Sequence, residues 1–525
     1  MKGKMYMEKL STTKLNYKRT LLVGFAFFLI IAFWQAYDNI IPKILTDKFG
    51  LSHTWSGAIM ALDNLLAVFL LPIFGSLSDK CKSKRGRRTP FIVIGTLLAV
   101  VLFVSLSFVD QMQLSKLKSV SEIDNREALE EIYDSESDRV TYLVNGEKKT
   151  LRDLFDREQF ASIRSADENG NANPDYNEYV VPARQSYAWQ KTVSSPVTII
   201  FFVLILFGIL LSMGIFRSPA VALMPDVTPK PLRSKANAII NLMGSIGGVL
   251  VLVLGMIFGT GKAENVLMSY LPFFVAVAAI MMVSLLIFIF TVKEPRWSAE
   301  ADAVNSDFSD EEPAETSAGA RNIKKKELIS LILILASVAL WYMGYNAVTS
   351  KYSVYAGDVL NLDYNLTLLI AQAAAIVSYL PIGILSSKLG RKKTILAGVL
   401  ILAASFGGAA FLRAGSPAII MNILFVLAGI GWATINVNSY PMVVELARGG
   451  DVGKYTGFYY TASMAAQILT PILSGVFIDL IDMTALFPYA TIFVVLSFVT
   501  MLFVRHGDVK PEAPKSNLEA LGEND

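Results

Sequence analysis

Long apolar runs, separated by polar segments, recur along this chain. Twelve of them reach about 20 residues, which is the length that a helix needs to cross the hydrocarbon core of a bilayer. None shows the strict alternation of apolar and polar residues that is typical of a barrel strand, so the pattern predicts membrane-spanning helices. The predicted spans are residues 21–41, 55–77, 90–109, 197–224, 236–258, 271–292, 328–349, 366–387, 393–412, 418–444, 455–480 and 485–504.

Composition supports a membrane location and gives no sign of enzymatic chemistry. Hydrophobic residues make up 53% of the 525 residues, charged residues make up 17%, and the mean hydropathy is +0.49. A soluble domain of this composition would expose a far larger apolar surface than soluble proteins do. The chain has two histidines, one cysteine and no phosphate-binding or dinucleotide motif. We therefore expect no enzyme, no cofactor, no resident metal and no nucleic-acid partner.

Basic residues fall on one side of the predicted membrane. The net charge is only +3, so the positions of the charges matter more than their sum. Short loops rich in lysine and arginine mark the cytoplasmic side. Six such segments share one side: residues 2–19, 80–88, 230–235, 321–326, 388–393 and 505–515. The prediction is a multi-pass protein of the plasma membrane with both termini in the cytoplasm.

A repeated motif divides the spans into two halves. Residues 71–92 read LPIFGSLSDKCKSKRGRRTPFI and residues 380–395 read LPIGILSSKLGRKKTI, each between two apolar runs. Two halves with a basic loop after the second helix of each are typical of major facilitator transporters. The sequence thus predicts an all-α membrane protein with twelve transmembrane helices in two pseudo-symmetric six-helix bundles. The predicted parts are a first bundle (1–292), a disordered cytoplasmic linker (293–327), a second bundle (328–505) and a cytoplasmic tail (506–525).

The spacing of corresponding motifs reveals extra sequence in the first half. Gly86 and Gly390 lie 304 positions apart, whereas Asp226 and Glu445 lie only 219 apart, so about 85 residues are inserted between helices three and four. The segment 110–195 is polar and acidic, and helix three is predicted to end outside the cell. The sequence therefore predicts an external insertion.

One stretch of this insertion is a weak candidate for a calcium loop. Oxygen-bearing side chains recur there at alternate positions and a glutamate closes the series: Asp167, Asn169, Asn171, Asp175 and Glu178. Ala172 occupies the position where such loops need glycine. A solvated turn rich in Asn, Asp and Pro is the alternative interpretation.

The first two helices and the loop after them resemble one transporter family. The matching residues are Gly50-Leu-Ser-His53-Thr-Trp55, Leu71-Pro72 and the block Gly-x-x-Ser-Asp-x-Cys-x-Ser-x-x-Gly-Arg-Arg-x-Pro-Phe-Ile from Gly75 to Ile92. On these motifs the chain resembles the sucrose-transporter-like family of glycoside-cation symporters. The resemblance implies proton-coupled carriage of disaccharides, and it implies a place for His53 near the external entrance of the substrate path. An ordinary loop histidine is the alternative.

Charged residues within apolar helices are the candidates for cation coupling. Burying a charge in a membrane costs about 2.5 to 3.5 kcal/mol even on the lenient insertion scale, so such residues are typically functional. Asp38 on helix one and Asp63 on helix two are the leading pair, since a buried carboxylate can load and release a proton or a sodium ion. A static, hydrogen-bonded carboxylate is the alternative for each.

Amides and aromatic rings in the helices are the candidates for substrate binding. A neutral sugar presents hydroxyl groups to amides and C–H faces to rings. Arg217 lies nearer the cytoplasmic end of helix four. We expect it either to contact the substrate or a counter-ion from that side, or to form an ion pair at the cytoplasmic gate. Packing and interhelical hydrogen bonding are the alternatives for the others. The substrate-binding candidates are Trp34, Gln35, Arg217, Trp341, Tyr345, Asn346, Gln372 and Asn438.

Charged residues at the basic loops form a predicted cytoplasmic gate. Asp79 at the end of helix two can pair with Arg87 or Arg88 and tie neighbouring helix ends together when the cytoplasmic side is closed. Asp226 ends helix four in the first half, and Arg391 and Glu445 occupy the corresponding places in the second half.

Together these features predict a secondary active transporter, in monomeric form, that imports an oligosaccharide or glycoside by cation symport through alternating access. Two alternatives remain open at this level. One is a proton-antiport exporter of amphipathic compounds on the same fold. The other is a sugar sensor that binds through the external insertion without transport.

Overall fold

The computed structural model describes residues 15–144, 147–166, 173–229, 232–309, 325–444, 446 and 452–506. In the first half, six long helices pack around one apolar core. They are α1 (Tyr17–Lys43), α2 (His53–Asp79), α3 (Thr89–Lys116), α8 (Val197–Val227), α9 (Arg233–Phe258) and α10 (Leu271–Thr291). A π-helical turn, Ile44–Lys48, continues α1.

Six long helices also form the second half. They are α12 (Lys325–Asp358), α13 (Tyr364–Leu389), α14 (Arg391–Ala409), α15 (Ala418–Val444), α16 (Val452–Leu480) and α17 (Leu486–Leu502). In the described part of the chain, eleven long helices are apolar and long enough to cross a membrane, and α13 has a shorter apolar stretch, Tyr364–Tyr379. The predicted all-α architecture of two bundles is confirmed.

Contacts between aromatic rings and close approaches at small residues join the helices within each bundle. In the first half, the Phe103 ring lies 5.5 Å from the Phe33 ring and 4.3 Å from the Phe274 ring, which joins α1, α3 and α10. In the second half, Gly398 on α14 faces Gly431 on α15, and a Cβ on either would press on the other's backbone carbonyl. Small residues allow such close approach in membrane helices.

The insertion between α3 and α8 is a folded unit with its own core. Helix α3 continues to Lys116, so the insertion runs from residue 117 to 196 and not from residue 110. Its elements are α4 (Arg126–Glu136), β1 (Thr141–Val144), β2 (Glu147–Thr150), α5 (Leu151–Leu154), α6 (Arg157–Ser162) and α7 (Val181–Ser194). The two strands pair antiparallel with Thr141 opposite Thr150.

A buried ion pair joins the end of α1 to the end of α3 below the insertion. The ammonium of Lys48 lies 2.7 and 2.8 Å from the two carboxylate oxygens of Asp110, and it donates to the carbonyl of Met268 at 2.8 Å. It also lies 4.1 Å from the centre of the Tyr270 ring. Both charged side chains are fully buried, so each depends on the other for compensation of its lost hydration.

The linker between the halves departs from the prediction. Residues 293–327 were expected to be disordered, but Glu294–Ser309 form a helix, α11. The Glu294 carboxylate accepts hydrogen bonds from the backbone N–H groups of Arg88 and Thr89, both at 2.8 Å, and thereby caps the start of α3. Trp297 is buried, and the Arg19 guanidinium lies 5.3 Å from its ring centre. The prediction of disorder is wrong for residues 294–309, because these tertiary contacts outweigh the polar composition.

The two ends of the bundle pair are distinguished by their loops. The insertion side is the end that carries residues 117–196. The basic-loop side is the opposite end, where residues 80–88 connect α2 to α3.

Candidate functional site

On the insertion side the two halves are joined by hydrogen bonds to the start of α2. The carboxylate of Asp479 on α16 accepts from the backbone N–H groups of His53 and Thr54, both at 2.8 Å. The ammonium of Lys351 on α12 donates to the carbonyl of His53 at 2.8 Å. His53 thus lies at the closed junction of the halves, with its backbone groups bonded to the second half.

Close backbone packing seals the same side. A Cβ on Gly57 of α2 would overlap the carbonyl of Pro471 on α16, so only glycine fits there. Nearer the end of α9, the hydroxyl of Thr260 bonds the hydroxyl of Tyr364 at 2.9 Å and accepts from the amide of Asn365 at 3.2 Å. The first half therefore contacts the second along both α2 and α9.

Toward the basic-loop side the same helices separate. Ser76 on α2 and Thr461 on α16 are exposed, and so are Leu77 and Tyr460. A Cβ added to Gly457, near the start of α16, would meet no described atom within 4 Å, so there is open space beside this end of the helix. The space between the halves therefore opens on the basic-loop side.

The predicted gate residues of the first half form an ion-pair network within that half. Arg88 pairs with Asp79 at 2.5 Å and with Asp226 at 2.7 Å, and Arg87 pairs with Asp226 at 2.6 Å. The network ties the ends of α2, α3 and α8 together while the halves are apart on this side. Glu294, which the sequence did not single out, lies beside it and accepts from the backbone N–H groups of Arg88 and Thr89.

The corresponding pair in the second half is not described. Arg391 begins α14, and Glu445 lies outside the residues that the structure describes. The Arg391–Glu445 gate stays a prediction.

Asp38 and Asp63 line one small cavity between the halves. This cavity has a volume of about 100 Å³, and Asn346 and Gln467 of the second half also line it. The carboxylate of Asp63 accepts from the backbone N–H of Asn64 at 2.5 Å and from the amide of Asn64 at 2.8 Å. The two predicted coupling residues are thus brought together.

The predicted arginine lies beside the same carboxylates. Arg217 on α8 lines a narrow space with Asp63 and Trp34, and its guanidinium lies 5.5 Å from the centre of the Trp34 ring. Its positive charge acts on both Asp38 and Asp63. The buried cluster therefore contains two carboxylates and one guanidinium.

A larger cavity of about 300 Å³ adjoins the cluster. Among the predicted binding residues, Gln35 lines it from the first half and Tyr345 and Gln372 line it from the second. The oxygen of the Gln372 amide is buried and has no hydrogen-bond partner among the described residues. Asp38 lines this cavity as well as the smaller one.

An aromatic pair forms one wall of the larger cavity. The rings of Tyr345 and Trp432 stack with centres 3.6 Å apart and planes 2° apart. Trp432 and Tyr379, which also lines the cavity, were missed by the sequence prediction. The signal was present, since Trp432 lies in the middle of an apolar span, far from the interfaces where tryptophan serves as an anchor.

Trp341 and Asn438 make packing and interhelical contacts, and Asn346 combines such a contact with a place in the cavity wall. Trp341 is fully buried in the core of the second half. The amide of Asn438 accepts from the hydroxyl of Ser386 and donates to the carbonyl of Thr434 at 2.9 Å, which joins α13 to α15. Asn346 donates to the carbonyl of Tyr342 at 2.8 Å while lining the small cavity.

The candidate calcium loop is only partly described. Asp167, Asn169 and Asn171 lie outside the described residues. Asp175 and Glu178 are exposed, and the backbone N–H of Asp175 donates to the side chain of Asn173 at 3.1 Å.

Comparisons with known sequences identify two families of similar chains. The family described as Major Facilitator Superfamily matches residues 187–436 and 363–523, and the family described as MFS/sugar transport protein matches residues 22–121. The sucrose transport protein SUC4 of Arabidopsis thaliana is 41% identical over 59 residues, and SUC3 of the same plant is 36% identical over 67 residues. Each match spans only 11% of the relative's length.

Solved structures share the fold along nearly the whole chain. The xylose transporter of E. coli in an inward-open conformation aligns with a TM-score of 0.57 at 14% identity, covering 96% of this chain and 99% of that one. A D-xylose-proton symporter aligns with a TM-score of 0.56 at 15% identity, covering 93% and 98%. A peptide transporter crystallised with sulfate aligns with a TM-score of 0.57 at 12% identity, covering 93% of each chain. These identities establish similarity of fold alone.

Proposed function

Since this chain belongs to the major facilitator superfamily, we propose that it is a secondary active transporter that carries a disaccharide, oligosaccharide or glycoside together with a cation. Transport proceeds by alternating access of one central site to the two membrane faces. The observation that carries the proposal is the position of Asp38, which lines both the small acidic cavity and the larger cavity with the aromatic wall. One carboxylate thereby contacts the sites proposed for ion and sugar.

The lining of the larger cavity favours a sugar. Amide groups of Gln35 and Gln372 provide donors and acceptors for hydroxyl groups, and the stacked rings of Tyr345 and Trp432 provide a flat surface for C–H faces. The match to the sugar transport family over residues 22–121 and the local identity to sucrose transport proteins support the same substrate class.

The charge balance of the buried cluster favours a coupled cation. Asp38 and Asp63 carry two negative charges when ionised, and Arg217 offers one positive charge, so the cluster is neutral only with a bound proton or sodium ion. An uncompensated charge in a buried site is costly. A proton is the favoured ion, because the family that residues 50–92 resemble carries disaccharides together with protons.

We further propose that the insertion side faces the cell exterior. The basic segments then lie in the cytoplasm together with both termini, as the positive-inside rule requires. With this orientation the structure is closed to the outside and open to the cytoplasm.

Transport by purified protein in proteoliposomes tests the proposal. A panel of labelled glycosides, including sucrose, maltose and an aryl glucoside, is offered under an inward proton gradient and, separately, under an inward sodium gradient. We expect accumulation of at least one sugar above equilibrium under one gradient, and counterflow of the same sugar without a gradient. Binding without counterflow would indicate a sensor, and failure of every sugar under both gradients would refute symport.

Substitution of Trp432 by alanine is expected to raise the KM for the transported sugar about tenfold, because a stacked aromatic contact contributes about 0.5 to 1.5 kcal/mol beyond its buried area. Trp432→Phe should retain most of the affinity. Trp55, which is 65% exposed at the start of α2, provides the control, since Trp55→Ala should leave KM unchanged. Equal effects of Trp432→Ala and Trp55→Ala would argue against a sugar-binding wall at Trp432.

A further inference from the structure

The insertion is attached firmly to the first half. The amide of Gln113 on α3 donates to the carbonyl of Lys48 and to the hydroxyl of Thr192 on α7, both at 2.9 Å. Lys116 donates to the carbonyl of Ser195 at 2.8 Å. Val266 and Leu267, which follow α9, belong to the apolar core of the insertion. The insertion and the first half therefore move as one body.

One side chain of the insertion joins the two halves. The amide nitrogen of Gln185 on α7 lies 3.3 Å from a carboxylate oxygen of Asp47, which follows α1, and 3.3 Å from a carboxylate oxygen of Asp358, which ends α12. An amide group has two hydrogens, so it can serve both carboxylates at once. The insertion thus bridges the seam between the halves on the closed side.

Charges around this bridge are balanced across three parts of the molecule. Lys43 of the first half and Arg184 of the insertion act electrostatically on both Asp47 and Asp358. Lys43 is buried and reaches over the ring of Tyr364 in the second half, 5.6 Å from its centre. Lys48 also acts on Asp47 but is paired with Asp110. Lys43 and Arg184 therefore offset both Asp47 and Asp358 only while the halves are together.

Within the insertion, Arg184 has a neutral hydrogen-bond partner. It is buried, and its guanidinium donates to the hydroxyl of Tyr176 at 3.0 Å. Burial raises the pKa of Tyr176 above its ordinary value, so the hydroxyl is a neutral partner. The positive charge of Arg184 therefore acts on the carboxylates of Asp47 and Asp358.

Beside the bridge, the insertion and the second half are separated by a cleft of about 640 Å³. Asn177, Glu178 and Pro182 line it on the insertion, and Val359 and Asp482 line it on the second half. A cleft of this size lacks the close packing of a protein core. The two bodies can therefore part here without exposing a packed apolar interface, and, among the described residues, the hydrogen bond that links them beside the cleft is the one from Gln185 to Asp358.

We propose that the insertion is an extracellular latch that stabilises the outward-closed state, with Gln185 and Asp358 as its contact. The inference rests on the proposed function for alternating access and for the external position of the insertion side. Opening to the outside moves the second half away from the first half and its attached insertion, which breaks the Gln185–Asp358 hydrogen bond and divides the balanced charge cluster. The latch shifts the resting equilibrium of the carrier toward its inward-facing conformation.

The test measures conformation without substrate. Spin labels are placed in a Cys81→Ser background at Lys148 on the insertion and Ala418 at the start of α15, both exposed, and electron paramagnetic resonance gives the distribution of distances between them. We expect Gln185→Leu to increase the ratio of the long-distance to the short-distance population about tenfold, the size expected for one lost hydrogen bond to a charged group. Gln190→Leu, five residues later on the same helix, should leave the ratio unchanged.

A second variant acts from the other body and does not alter the insertion. Asp358→Ala should produce a shift at least as large, because it removes the hydrogen bond from Gln185 and also the charge on which Lys43 and Arg184 act. Adding Gln185→Leu to Asp358→Ala should shift the ratio no further, because the contact between these two side chains is already lost. Unchanged distributions in both single variants, or equal shifts in Gln185→Leu and Gln190→Leu, would overturn the latch. The readout is independent of the sugar: shifted distances in a protein that transports no glycoside would retain the latch and reject the symport proposal.

Discussion

Asp38→Asn is expected to abolish accumulation of sugar against its gradient while leaving sugar exchange intact. Asparagine keeps the size and hydrogen-bonding capacity of the side chain but cannot titrate. The buried cluster is then left with the carboxylate of Asp63 and the guanidinium of Arg217, whose charges balance without a bound cation. We expect gradient-driven uptake to fall about 100-fold, the range for removal of a proton-transferring group.

Proteoliposomes measure both properties of this variant. Uptake is recorded under an inward ion gradient, and counterflow is recorded with sugar on both sides and no gradient. Asp138→Asn, in which an exposed carboxylate of the insertion is changed, is the matched control and should behave as wild type. Wild-type accumulation by Asp38→Asn would remove Asp38 from the coupling mechanism. Loss of exchange as well would assign it to sugar binding instead.

Lys48→Met is expected to lower the free energy of unfolding by about 3 to 5 kcal/mol, because it leaves the Asp110 carboxylate buried without its partner. The Lys48 ammonium is the centre of contacts from α3, from the carbonyl of Met268 and from the Tyr270 ring. Methionine fills a similar volume but offers no charge and no donor. The cost arises from the desolvated carboxylate rather than from lost packing.

The double variant Lys48→Met/Asp110→Leu distinguishes the cost of an unpaired buried carboxylate from the cost of lost packing. Replacing both members of a buried ion pair by apolar residues is often neutral or stabilising, so we expect it to recover most of the lost stability. Chemical unfolding of purified protein in detergent, followed by tryptophan fluorescence, provides the measurement. Lys118→Met, at an exposed lysine of the insertion, should have little effect. A double variant that is as unstable as Lys48→Met would show that the pair stabilises the fold through packing.

The sequence alone singled out the charged side chains that line the small cavities of the structure. Asp38, Asp63 and Arg217 stand out because an ionisable side chain in an apolar span is costly and is retained for a reason. The structure places all three around adjoining cavities. Amides and aromatics carry no such signal, because they also serve in packing. From the sequence, Trp341 and Asn438 were therefore candidates for substrate binding on the same grounds as Tyr345. Only the structure shows that Tyr345 lines the larger cavity and that the other two do not.

Contacts between distant segments account for what the sequence prediction missed. By composition, the segment 294–309 resembles a polar linker. In the structure, Glu294 caps α3 and Trp297 is buried. The acidic insertion showed neither its own core nor its attachment to both halves. Gln185 is an unremarkable helix residue by sequence, and its position between two carboxylates depends on how three separate parts of the chain assemble.

The sequence by itself determined the apolar spans, their division into two halves, the position of the insertion and the basic segments on one side. These features are local, because each helix in a bilayer must satisfy its own backbone hydrogen bonds and each span must be apolar over a fixed length. Only the tertiary structure decided which side is closed, which aromatic rings form the cavity wall and where the insertion crosses the seam. Those properties depend on the packing of helices that are far apart in the chain. The pattern of side chains along one helix does not indicate which other helices pack against it.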